Sequence, residues 1–337
     1  MSFLRLLVAA ALVLFIGTQA ANSQEPSRTL IAVNKLGDSV TFFDMRTNAR
    51  LATIPIPGHP HDIVASPDGR TAYVSIYGDG IYGRNPNPGH TISVIDLVNR
   101  RKTGDIDLGS FRAPHQLALD SQGRLWAACD LSGAAVVVDV KAQKVVGSVS
   151  TGNTGSHWIA MLPDGKKAYT SNKEHPYLSV IDVASMKMTG KVPMPNGGDG
   201  LTVSRDGKRL FVTDRSAGFV RIFDTATDRE IRAIPIKSHA MRVGLTPDER
   251  YAVLTQNDIS QVEVVDLQTF TSKGQLPVGK NPMGVFFPGP GHLAYIANHD
   301  DGTISIVDPD QMKVLETFKS DGGTEMFMLL PAAANRL

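Results

Sequence analysis

The chain has 337 residues, a formal net charge of +1, 42% hydrophobic residues and a single cysteine, Cys129. Its Lys and Arg residues are scattered singly, which excludes the basic stripe of a nucleic-acid binder. One cysteine excludes an internal disulfide, a cysteine-rich zinc site and a C-x-x-C-H haem attachment.

The first predicted element is an address. Arg5 precedes the apolar run from Leu6 to Ile16, and Thr18, Ala20 and Ala21 follow. This order predicts a secretory signal peptide over residues 1–23. The run is shorter than the ~20 residues of a spanning helix, so a periplasmic or secreted product with no membrane insertion of the mature chain is expected. Little Pro/Ser-rich linker interrupts residues 24–337, which are expected to form one domain around one core.

Strands follow from Thr29 to Asn34, Ser39 to Asp44 and Ala49 to Ile56, each alternating with period two. An alternating run ending in aspartate then recurs at Asp44, Asp96, Asp139, Asp182, Asp224, Asp266 and Asp308, at intervals of 52, 43, 43, 42, 42 and 42. The Gly/Asn/Pro-rich insert from Ile76 to Gly89 accounts for the long first interval. Pro67 to Gly69, Pro163 to Gly165 and Arg205 to Gly207 supply tight turns between the first two strands of a unit. Four strands per ~42 residues predict an all-β, seven-bladed β-propeller. The last unit stops after one strand, Glu325 to Leu330, while the mature chain opens on an unpartnered one. The two ends are expected to share the last blade and so bury its edges. The repeated aspartates are expected to hold turns rather than to catalyse.

The phrases AYVSI at Ala72, AYTSN at Ala168, LFVTD at Leu210 and AYIAN at Ala294 resemble the YVTN-type propeller repeats of YncE-like exported proteins. The resemblance covers nearly the whole mature chain and implies the seven-bladed fold. It leaves function open, because such propellers include binding proteins and electron-transfer subunits and have lactonases as fold neighbours.

Functional expectations centre on one end of the channel. Counting eight residues back from each turn glycine or its equivalent gives His61, His115, His157, Asp199, Met241 and Met283, with Met326 in the incomplete unit. His59, His90, His175, His239 and His299 fall in connections at the same end, and only His292 belongs to the other. Imidazole, carboxylate and thioether suit a transition metal: copper if methionine takes part, zinc, iron or manganese if histidines and an acid do. The expected metal ligands are His61, His115, His157 and Asp199. His59, Tyr77, Tyr82, Trp158, His175, His239, Met241, Met283, His299 and Met326 are expected at the rim. Glu174, Glu325 and Arg242 are the candidate catalytic groups.

A metal-free ligand pocket and an ordinary channel rim remain alternatives, as do a metal-dependent hydrolase of lactonase type, an oxidoreductase subunit and a non-catalytic scaffold. The expected partners are a small molecule or another exported protein, not nucleic acid. Gly78, Gly80 and Gly83 match G-x-G-x-x-G but precede no helix, which removes the dinucleotide reading. Cys129, in an apolar run, is expected in the core.

Overall fold

The computed structural model describes residues 28–331 except 82 and 153. The expected signal peptide and Tyr82 lie outside the described residues. Among those described, no helix is long and apolar enough to cross a membrane.

Seven four-stranded antiparallel sheets form the blades of a propeller. In chain order the blades start at the inner strands Pro60–Ala65, Pro114–Leu119, Ser156–Met161, Gly198–Val203, Arg242–Leu245 and Pro282–Phe286. The seventh joins Thr324–Leu329, as inner strand, to Thr29–Asn34, Ser39–Asp44 and Arg50–Pro55. The expected closure is therefore present, with Leu30 opposite Leu329 and Val33 opposite Met326.

Burial is greatest in the middle of each blade and least in its outermost strand. The second and third strands of a blade are packed on both faces, as in Thr29–Asn34 and Ser39–Asp44, which explains their near-continuous apolar runs. Outermost strands such as Lys144–Ser150 alternate between exposed and covered residues, since only one face meets a neighbour. Apolar clusters fill the spaces between successive blades. In one of them Tyr73, Ile92 and Val94 pack on Leu117, Leu125 and Val136 of the next blade, and Cys129 lies fully buried there. Burial raises its thiol pKa, so it is an inert packing group.

At one end of the channel the repeated aspartates hold turns. Oδ1 of Asp96 accepts the backbone N–H groups of Val98 and Asn99, both at 3.0 Å. Asp266 does the same for Gln268 and Thr269, and Asp308 for Asp310 and Gln311. Gly69, Gly165 and Gly207 take φ of 68°, 68° and 71° in the neighbouring turns, a conformation that favours glycine. His292 lies at this end, 3.2 Å from Asp308 Oδ1.

Candidate functional site

At the opposite end most inner strands begin with an irregularity. The register shifts between Pro60 and Ile63, Pro114 and Leu117, Ser156 and Trp158, Gly198 and Leu201, and Pro282 and Val285. Such bulges re-aim side chains, and His61, His115, His157, Asp199 and Met283 sit in them, while the strand Arg242–Leu245 pairs without a shift. Hydroxyls of the second strands fix the bulged backbone. Ser75 Oγ accepts the Asp62 N–H at 3.0 Å and donates to the His115 carbonyl of the next blade at 2.7 Å. Ser171 links Trp158 to Asp199, and Thr255 links Arg242 to Met283, in the same way. The Ser or Thr of the repeated phrase thus ties each of these channel residues to the blade before it.

The column brings His61, His115, His157, Asp199, Met241 and Met283 to one cavity of about 350 Å³. Its seventh member is Glu325, not Met326. Pro60, Pro114, Ser156, Gly198 and Pro282 each pair with the end of their second strand, and Thr324 pairs with Asn34 in the same way. The residue after each of these faces the channel, which makes the seventh Glu325. Met326 packs instead with the apolar cluster that includes Trp158. The count slipped by one because no turn follows this strand: the chain crosses to its own beginning.

A second ring accompanies the first, and of its members the sequence pointed to Tyr77 and His299 alone. One residue past the second strand stand Lys35, Asp130, Lys173, Arg215, Asn257 and His299, and within the longer strand Thr71–Gly78 Tyr77 holds the equivalent place, next after Ile76, the partner of Pro60; all but Asp130 line the cavity. Their spacing repeats that of the first ring, so the signal lay in the sequence.

The three histidine rings pack against one another, tilted by 43° and 39°. Ring centroids of His61 and His115 are 3.8 Å apart, and those of His115 and His157 are 3.5 Å apart. His157 lies between two acids, with Nδ1 3.0 Å from both Asp130 oxygens and Nε2 3.1 Å from Asp199 Oδ1. Tyr77 donates to Asp130 Oδ2 at 2.9 Å. Atoms of His115, Asp130 and His157 lie within 4.8 Å of one another, a separation a single ion can span. Asp199, expected among the ligands, is engaged otherwise: Arg242 Nη1 is 3.1 Å and Lys173 Nζ 3.6 Å from it. Those cations hold its carboxyl well below the usual range against the opposing effect of burial.

Burial, followed by the positive charges of the site, pushes His61 and His115 well below 6.5, so both are neutral at pH 7 with a free lone pair. Beneath them, burial pushes Asp62 up to about 7, although Leu117 N donates to it. Several buried polar atoms here have no hydrogen-bond partner: His61 Nδ1, His115 Nδ1, Arg242 Nε and Glu325 Oε2. Buried polar groups are rarely left so, and their convergence on one cavity makes it the candidate site.

The remaining expected rim residues divide. His239 and His299 line the cavity, and Trp158 borders it, 5.9 Å from His115 and under the Arg242 guanidinium at 4.3 Å. Glu325 sits between His61 and His299, at 3.8 and 3.4 Å. His59 faces Asp79 at 3.0 Å and His90 faces Asp107 at 3.0 Å, both outside the cavity. His175 stacks on Tyr177 beside a separate surface hollow. Glu174 pairs with Arg215 at 2.8 Å, half-exposed and away from the histidines, a poor position for a base acting at them. Of the long insert, Ile81 reaches the cavity and the Gly80 carbonyl accepts from Lys35.

Fold and mouth together describe a seven-bladed propeller with three histidine rings packed together at one channel end. Residues 100–248 match the profile of the YNCE-like beta-propeller family, in keeping with the resemblance carried by the repeats. No curated protein sequence matches the chain. Among solved structures, the periplasmic gluconolactonase PpgL of Pseudomonas aeruginosa is 17% identical with a TM-score of 0.74, over 90% of this chain and 99% of that one. Hydrazine synthase of Kuenenia stuttgartiensis is 20% identical with a TM-score of 0.67, over 80% and 89%. The dihydro-heme d1 dehydrogenase NirN is 16% identical with a TM-score of 0.67, over 92% and 76%. At these identities the likeness is one of fold.

Proposed function

We propose that this is an exported propeller, periplasmic or secreted, whose channel mouth binds a transition-metal ion, zinc or copper, together with a small molecule. The observation that carries the reading is the trio His115, Asp130 and His157 within mutual reach, with His115 Nδ1 buried without a hydrogen-bond partner. Two imidazoles and a carboxylate are a donor set for zinc or copper. An ion there would polarise a bound carbonyl or acidify a water. Glu325, buried between His61 and His299 with a free oxygen, is the group placed to take up or return a proton. Hydrolase and oxidoreductase roles both suit such a mouth, and propellers of this shape include a gluconolactonase and a dehydrogenase.

The test is calorimetric titration of untagged protein with zinc and copper. Stoichiometric binding is expected in the wild type, and a loss of more than about a hundredfold in His115→Ala with the sheet signal retained in circular dichroism. Equal affinity in the two proteins would overturn the metal site and leave a metal-free pocket or a docking scaffold.

A further inference from the structure

Lys35 follows the strand Thr29–Asn34 of the closing blade and lines the cavity. Its side chain is buried, which lowers its ammonium pKa below the ordinary 10.5, mainly through lost hydration. An ammonium carries three N–H donors. One is donated to the Gly80 carbonyl at 2.6 Å, and the charge lies over the Tyr77 ring at 4.5 Å. Among the described residues no carboxylate stands within salt-bridge distance of it. Glu325 and Asp130 attract it from beyond ion-pair distance, yet a charge buried without a direct pair is costly, so stability alone gives little reason for a lysine here.

A second cation faces the same cavity. Arg242 gives Nη1 to Asp199 and to the Met241 carbonyl, yet its Nε–H is buried without an acceptor. The positive charges of Lys35 and Arg242 both reach His61 and help to keep it neutral. On the acid side, Glu325 Oε2 is a buried acceptor with no donor. The cavity therefore offers unused cationic donors and one unused anionic acceptor.

We infer that the small molecule taken by this mouth is a hydroxy-carboxylate, its carboxylate held by Lys35 and Arg242 and a hydroxyl donated to Glu325. A monoanion fits better than phosphate, because the four cations lining the cavity, Lys35, Lys173, Arg215 and Arg242, are already matched by Asp199 and Glu325 in its wall, Asp130 behind it and Glu174 on Arg215, which leaves no surplus positive charge for a second negative one. A cavity of about 350 Å³ suits a molecule of sugar-acid size or smaller. This inference rests on the reading of the mouth as a ligand site, but on other side chains than the metal trio.

The experiment uses the full mature chain treated with chelator, so that failure of the metal site does not affect it. Glycolate, glycerate and gluconate are titrated by calorimetry, with glycerol and gluconolactone as neutral counterparts and inorganic phosphate as the competing anion. At least one carboxylate should bind and the neutral compounds should not. Lys35→Met and Arg242→Gln should each weaken that binding at least tenfold. Without ligand, Lys35→Met should melt higher than wild type, because the substitution removes a buried charge. Absence of binding by every carboxylate, preference for phosphate, or binding unchanged in both variants would overturn the inference. So would a Lys35→Met protein that melts lower than wild type while binding as tightly, since Lys35 would then serve the fold.

Discussion

At the turn end of the channel, each blade uses the same residue for the same task. Asp96, Asp266 and Asp308 each accept two backbone amides from their own turn, and the polar groups involved are satisfied locally. At the mouth, the seven equivalent positions hold three histidines, two acids and two methionines, backed by a second ring as varied, and polar atoms are left over. A residue repeated in every blade answers a need that every blade has. A residue that differs from blade to blade answers something that only the assembled ring presents. In a propeller, breakdown of the repeat at one level of the channel is therefore a sign of a site.

The harshest way to break this contrast is to remove the strand on which both ends depend. Deleting residues 325–337 takes away most of the inner strand of the closing blade and should abolish cooperative thermal unfolding. A truncated protein melting at the parent temperature would show that the closing pairing is dispensable.

Acid should separate the two ends next. His61 and His115 have folded-state pKa values well below 6.5, so below pH 6.5 the unfolded chain binds protons that the folded chain does not. Stability should then fall as pH drops through 6.5, with a slope of up to about 1.4 kcal/mol per pH unit for each histidine. Asp62 acts oppositely: raised to about 7 from 3.8, it is protonated in the folded state first and favours folding as pH falls from 7 toward 3.8. Denaturant titrations across pH 4 to 7 should show a net acid loss in the wild type, a steeper loss in Asp62→Asn and a shallower one in His61→Asn/His115→Asn. Identical slopes in all three would mean that the mouth does not govern the acid response.

A smaller effect sharpens the other side. Asp308→Ala removes two turn hydrogen bonds and the contact with His292, and should cost about 1 to 2 kcal/mol of stability while leaving metal and carboxylate affinity unchanged. A drop in affinity would show the two ends to be coupled. Smallest of all, Ser75→Ala should leave the melting temperature within a few degrees and weaken binding at His115 by about tenfold, because the hydroxyl only steadies the backbone that carries the imidazole.

Much of this architecture was legible in the sequence, for a definite reason. The aspartate-ended phrase occurs once per blade, and a turn glycine or its equivalent lies a constant distance after each channel residue, so six ring positions could be counted from local chemistry. The seventh could not, since the strand carrying Glu325 has no turn after it and pairs with the beginning of the chain. Asp130 and Lys35 were passed over because each looks like the last residue of an ordinary strand. Only the convergence of blades brings them to the histidines. Asp199 matched the expected ligand set by position but not by chemistry, because Arg242 comes from the next blade and pairs with it.

The closing blade also joins what lies farthest apart in the chain. Glu325 and Lys35 come from opposite ends of the described chain, and both reach the cavity only where those ends pair. The three histidines, by contrast, come from consecutive blades. A chain cut short before the last strand would carry the imidazoles without Glu325, one of the groups inferred to hold the organic ligand. On that inference a ligand touching both Lys35 and Glu325 would bridge the seam and act as a clasp on the closed ring.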